Sequence, residues 1–203
     1  MYRKTYFCVC EGQQEEMYLK HLGVLLKKFP ERVVTFNTRR GLPEKLNSDY
    51  TDYDAVALFD HDCKEEEFRR KIEFCEQLQR KSKKKKGKKI YHAYSNVNID
   101  VWFILHKEDF NRPVTSTNAY IDDVRRIYKL SQDANIKEKA VLDKILTQIT
   151  LDDVKSAIKR AEQIRASKLE TDRFMLSSVA CYNNPDFSIH DFLKIVLQDC
   201  NEL

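Results

Sequence analysis

Hydrophobic and polar positions along the first half of this chain fall into a strand–helix rhythm. Thr5-Tyr6-Phe7-Cys8-Val9-Cys10 is an apolar run that stops at Glu11-Gly12. A second, Ala55-Val56-Ala57-Leu58-Phe59, stops at Asp60-His61-Asp62. Short runs of this kind, rich in β-branched and aromatic residues, predict strands buried on both faces of a parallel sheet. Tyr18, Leu22, Leu25, Leu26 and Phe29 recur at helical spacing between them and end at Pro30. Arg32 to Phe36 predicts another strand, and Gly41-Leu42-Pro43 opens a short helix through about Asn47. Phe68, Ile72 and Cys75 mark a helix that runs out into lysines. Ile90-Tyr91-His92-Ala93-Tyr94 predicts a fourth strand, closing at Ser95-Asn96, and a helix then carries Asp100, Trp102, Phe103 and Leu105 toward His106.

Strands alternating with helices predict an α/β fold, with a parallel sheet of about four strands flanked by helices. Beyond residue 111 the pattern changes. Residues 118–130, 137–149, 151–168 and 187–199 all carry helical spacing, with no convincing strand among them. The expected organisation is an α/β domain over residues 1–110 and a helical extension over 111–203 packed on the same domain.

Composition adds compartment and charge. With 42% hydrophobic and 33% charged residues, the chain has an ordinary globular make-up and a heavily charged surface. No apolar run is long enough for a membrane span, and Met1-Tyr2-Arg3-Lys4 leads into a strand-like segment, not a secretory h-region, so a cytoplasmic protein is expected. The six cysteines show no zinc-knuckle or redox spacing and fit small hydrophobes in a reducing compartment. Net charge is +4, but eight of the 36 basic residues fall between positions 80 and 89; the other 28 face 32 acidic residues. The basicity is therefore local. Lys83, Lys84, Lys85 and Lys86 at its centre predict either a solvated loop or an arm that contacts phosphates.

The acidic strand ends carry the chemistry. In open α/β sheets, ligands gather beyond the carboxyl ends of the strands. Glu11, Asp60 and Asp62 at two such ends could share one hard divalent cation, which takes oxygen ligands, keeps several waters and can neutralise charge at a transferring phosphoryl group. The same residue types also serve as turn formers and helix caps. Ser95, Asn96 and Asp100 form a third polar group at a strand-to-helix junction, with His106 six residues further on; capping and the helix dipole are alternative explanations for them. Neither a Gly-x-Ser-x-Gly elbow nor a Walker-type glycine loop occurs, and the chain has only 4 glycines.

Glu11 after one strand and Asp60-x-Asp62 after a later one resemble the Toprim domain of topoisomerases, bacterial primases and OLD-type nucleases. More specifically, the chain resembles the RloB-like family of phage-defence and abortive-infection proteins. Val9-Cys10-Glu11-Gly12 and Phe59-Asp60-His61-Asp62 carry that match, together with the stretch from Ser95-Asn96 through Asp100 and Trp102 to Leu105-His106. Asp100 stands where the family usually has Glu, and Val97 where proline is common. The resemblance implies a Toprim-type nuclease in antiviral defence, acting with Mg²⁺ or Mn²⁺. Glu11 would be general base or metal ligand, Asp60 and Asp62 metal ligands, and Asp100 a supporting or second-ion ligand. Ser95, Asn96 and His106 would support them, and Lys137, Lys139 or Arg160 would stabilise transition-state charge. The implied partners are DNA or RNA, tRNA included, and a defence ATPase or a second copy of the chain. Two other readings stand beside this: a non-catalytic module that binds nucleic acid or a partner, and a subunit whose final amphipathic helix (Ile189, Phe192, Leu193, Val196) docks a larger enzyme.

Overall fold

The computed structural model describes residues 1–46, 53–85 and 88–203, with the side chains of residues 83–85 excluded. The backbone of residues 83–85 is helical, not the expected loop, because a helix from Glu65 runs on to Lys85; the side chains of Lys83, Lys84 and Lys85, the whole of Lys86 and the end of the short helix near Asn47 lie outside the described residues, and with them the expected phosphate-contacting arm.

The apolar runs form the strands they predict. Strands β1 (Tyr2–Cys10), β2 (Arg32–Arg40), β3 (Asp54–Asp60) and β4 (Ile90–Asn96) pair in parallel in the order β2-β1-β3-β4. Helix α1 (Gln13–Leu25) joins β1 to β2, and α2 (Glu65–Lys85) joins β3 to β4. After β4 come α3 (Ile99–Leu105), α4 (Ile121–Ile127), α5 (Lys139–Thr147) and α6 (Leu151–Ala166), and α7 (Ile189–Asp199) closes the chain. Among the described residues, no helix is long and apolar enough to cross a membrane.

The second half is not wholly helical, contrary to expectation. Strands β5 (Arg173–Leu176) and β6 (Val179–Tyr182) form an antiparallel hairpin, and β7 (Asp186–Phe187) adds a fifth, antiparallel strand beside β4. These strands are two to four residues long, too short for alternation to register. The hairpin turns at Ser177, a non-glycine residue at φ +55°, so the usual turn residues are missing as well.

Side-chain alternation divides the sheet into two cores. On one face Tyr6, Cys8, Cys10, Val56, Leu58 and Ala93 pack against α1, α3 and α7, with α5 and α6 continuing the same core. On the other face Phe7, Val9, Ala57, Phe59 and Tyr94 pack against Phe68, Ile72 and Cys75 of α2 and against Leu176 and Cys181 of the hairpin. The two acidic strand ends inherit this division.

Candidate functional site

Cys10 of β1 lies opposite Leu58 of β3. Glu11 therefore continues the face of Val9, toward α2, whereas Asp60 continues the face of Leu58, toward α1 and α3. The two carboxylates meet at the sheet edge from opposite sides. Glu11 Oε2 accepts the Asp60 backbone N–H at 3.3 Å, and both Glu11 oxygens accept from Lys71 Nζ, at 2.8 and 2.6 Å. The same ammonium donates to the Asp60 carbonyl at 3.1 Å and lies 5.6 Å from the Phe59 ring centroid. Lys71 is a buried lysine, and Glu11 is its counterion.

On the α1 and α3 side, carboxylates gather with fewer cations. Asp60 Oδ1 is enclosed and has no hydrogen-bond partner among the described residues. Burial, then the charges of Glu15, Asp62 and Asp100, push the Asp60 carboxyl well above its usual range, against the opposing N–H of Ile99. Glu15 is buried in the first turn of α1 and accepts the Gly12 N–H at 3.1 Å. A Cβ on Gly12 would come within 2.8 Å of that carboxylate, so the glycine makes room for Glu15. Burial, followed by the charges of Glu11 and Asp100, pushes Glu15 up to about 7. Asp100 is buried, accepts from Gln14 Nε2 at 2.8 Å, and is pushed up to about 6, chiefly by burial; Gln14 and Lys137 oppose the rise and Asp62 adds to it.

Asp62 holds the turn between these groups in a left-handed conformation (φ +53°), and Cys63 does the same (φ +56°). Two consecutive non-glycine residues in that region are uncommon and store strain. The turn is fixed by backbone bonds from His61 N to Ser95 O at 3.1 Å and from Asp62 N to Val97 O at 2.9 Å. Ser95, opposite Asp60 in the β3–β4 register, and Asn96 are both buried at this junction. Asn98 caps α3 by accepting the Asp100 N–H at 3.2 Å. Among the described residues, no group of three or more His, Cys, Asp or Glu side chains is already close enough to enclose a metal ion.

His106 is elsewhere. Six residues along from Asp100 is about 9 Å of helix and a different face, and its ring is buried in the core. Tyr18 Oη lies 3.1 Å from Nε2 and the Trp102 carbonyl 2.7 Å from Nδ1, an arrangement for a neutral imidazole that donates from Nδ1. Burial pushes its pKa down to about 3. An unfolded His106 takes up a proton below about pH 6.5 while the folded one does not, so its contribution to stability is complete above that pH and shrinks as pH falls toward 3. At up to about 1.4 kcal/mol per pH unit, wild type should lose about 2 kcal/mol between pH 7 and pH 5 relative to His106→Gln. Urea midpoints of the two proteins at both pH values check this, and parallel slopes would refute it.

Of the basic residues expected to assist, Lys137 is exposed and acts electrostatically on Asp100. Lys139 pairs with Asp143 at 2.7 Å, and Arg160 with Asp109 at 2.7 Å and the Leu105 carbonyl at 2.8 Å. Glu15 and Lys71 were not singled out from the sequence, yet both left a signal. Glu15 lies on the stripe of Tyr18, Leu19 and Leu22, and Lys71 beside Phe68, Ile72 and Cys75, so each is a charge on an otherwise apolar helical face.

The family model described as RloB-like protein matches residues 6–193, a span running from β1 into α7. No curated protein and no solved structure matches the chain.

Proposed function

The chain belongs to the RloB-like family, and from that membership and its acidic strand ends we propose that it is a divalent-metal-dependent nuclease that hydrolyses phosphodiester bonds in DNA or RNA in the cytoplasm, in defence against phage. The observation that carries this reading is an enclosed Asp60 oxygen with no hydrogen-bond partner among the described residues, on a carboxyl pushed up by burial and by the charges of Glu15, Asp62 and Asp100. Asp60, Glu15 and Asp100 are each pushed up by burial and by neighbouring carboxylates, a charge excess that a hard cation would relieve.

The donor set fits Mg²⁺ or Mn²⁺ in chemistry: every donor is a carboxylate oxygen, with no thiolate or imidazole among them. Asp60, Asp62 and Asp100 would hold the ion, with Glu15 beside them. Side-chain rotation would be needed to close the shell. When bound, such a cation supplies charge neutralisation at the phosphoryl group and a more acidic water. Glu11, tied to Lys71 Nζ and to the Asp60 backbone N–H, orients the turn from the other face and reaches a substrate only if that pair opens. Lys137, exposed and within electrostatic reach of Asp100, approaches the substrate phosphate.

A Mn²⁺-dependent digestion panel of plasmid, single-stranded DNA, total RNA and tRNA, run beside Asp60→Asn, tests the reading. Cleavage by wild type alone supports it, and no cleavage of any substrate overturns it. The Lys71–Glu11 pair favours a second reading, because an internal ammonium already neutralises one of the expected ligands. In that case the chain binds nucleic acid or a partner without cleaving it, and binding should persist in EDTA and weaken steeply with salt.

A further inference from the structure

A cavity of about 390 Å³ opens on the α2 side of the sheet, directly under the Asp60–Asp62 turn. We propose that it receives one unpaired nucleobase of a nucleic-acid strand whose backbone crosses that turn; the strand's path rests on the function proposed above, the base site does not. A base with its sugar fits this volume, which lies within the ordinary range for small-ligand pockets. His61, the residue between the two aspartates, forms part of the wall, so cavity and acidic turn are one continuous surface.

The lining matches a base in shape and polarity. His61 meets Phe68 edge to face at 4.8 Å between centroids, and Phe174 of the hairpin also lines the space. Aromatic walls stack any base. Asn96 is 4% exposed, its Oδ1 has no partner among the described residues, and its Nδ2 makes one long bond of 3.4 Å to the Tyr182 carbonyl. Asn183 is held as loosely, at 3.4 Å from Asp172 Oδ1. Carboxamides offer a donor and an acceptor side by side, as base edges do. Glu65 and Arg69 both line the space, and their opposite charges favour a neutral ligand with polar edges over a bare anion.

Fluorescence anisotropy in EDTA, where metal-dependent turnover is suppressed, tests this with labelled ten-nucleotide homopolymers of DNA and RNA, and with the four 5′-mononucleotides as competitors. Wild type should bind one homopolymer at least about fivefold tighter than the others, and Phe174→Ala should weaken that binding about five- to a hundredfold. Asn183→Ala, at an exposed position that folding tolerates, should flatten the preference. Equal binding of all homopolymers, with both variants within twofold of wild type, overturns the base site whatever the digestion panel gives. Mononucleotides that compete as well as strands would overturn the strand and assign the cavity to a free nucleotide. Base-selective binding by a protein that cleaves nothing in Mn²⁺ would keep the base site and remove the nuclease.

Discussion

Asp60→Asn is expected to make the metal-free protein more stable while abolishing its response to Mn²⁺. Asparagine fills the same volume, so the change removes one charge from a crowd of four carboxylates and little else. Relief of that repulsion should contribute roughly 1–2 kcal/mol, or about 2–8 °C in melting temperature for a chain of this size. If the proposed function holds, cleavage should fall by about a thousandfold or more, since several kcal/mol of transition-state stabilisation would depend on the bound cation. Two calorimetric comparisons check this, one in EDTA and one in millimolar Mn²⁺. An equal Mn²⁺-induced shift in both proteins would exclude Asp60 as a ligand.

The pH dependence gives the same comparison a sign. Glu15, at about 7 against an ordinary 4.5, and Asp100, at about 6 against 3.8, bind protons more tightly folded than unfolded. Their neutral forms stabilise the fold fully below about pH 4, and that contribution is lost as pH rises through 6 to 7. His106 acts in the opposite direction over part of this window, so the informative quantity is the difference between variant and wild type. The advantage of Asp60→Asn should be larger at pH 8 than at pH 5 in EDTA, and should vanish or reverse in Mn²⁺.

The second large effect is structural. Asp186→Ala should cost about 3–5 kcal/mol, the range for breaking a buried ion pair from one side. Asp186 is 1% exposed and accepts from Tyr94 Oη at 2.5 Å, the Tyr182 N–H at 3.0 Å, and Arg165 Nε and Nη2 at 3.1 and 3.0 Å. Arg165 also bonds Asp191 at 3.0 Å and the Phe187 carbonyl, so its guanidinium is the hub that ties α6 to β7 and α7. Without Asp186 that mostly buried charge loses its principal partner. β7 pairs with Ser95 and Asn96, so the damage should reach the end of β4 beside the acidic turn. Urea denaturation measures the loss. Tyr94→Phe, which removes the hydroxyl's bond to Asp186 and a longer one of 3.4 Å from Arg165 Nη2, should cost only about 1–2 kcal/mol, and equal losses in the two variants would show that the ion pair contributes nothing of its own.

Residue order alone was enough to read the four parallel strands, the helices between them and the acidic residues at their ends. Runs such as Ala55–Phe59 have no polar face to present to water, so they must be central strands. Glu15 and Lys71 are charges on apolar stripes, a pattern present in the sequence but unread there, because its meaning depends on what faces them. Tertiary structure alone decided the rest. The β1–β3 register, with Cys10 opposite Leu58, sends Glu11 to Lys71 and Asp60 to Glu15 and Asp100, because a one-residue offset changes the face of a strand. Helical rotation carries His106 away from Asp100 into a core slot between Tyr18 and the Trp102 carbonyl. Strand β7 forms because Asp186, Arg165 and β4 are brought together from distant parts of the chain, whereas β5 and β6 pair with each other across the turn at Ser177; segments of two to four residues carry too little pattern to announce either pairing.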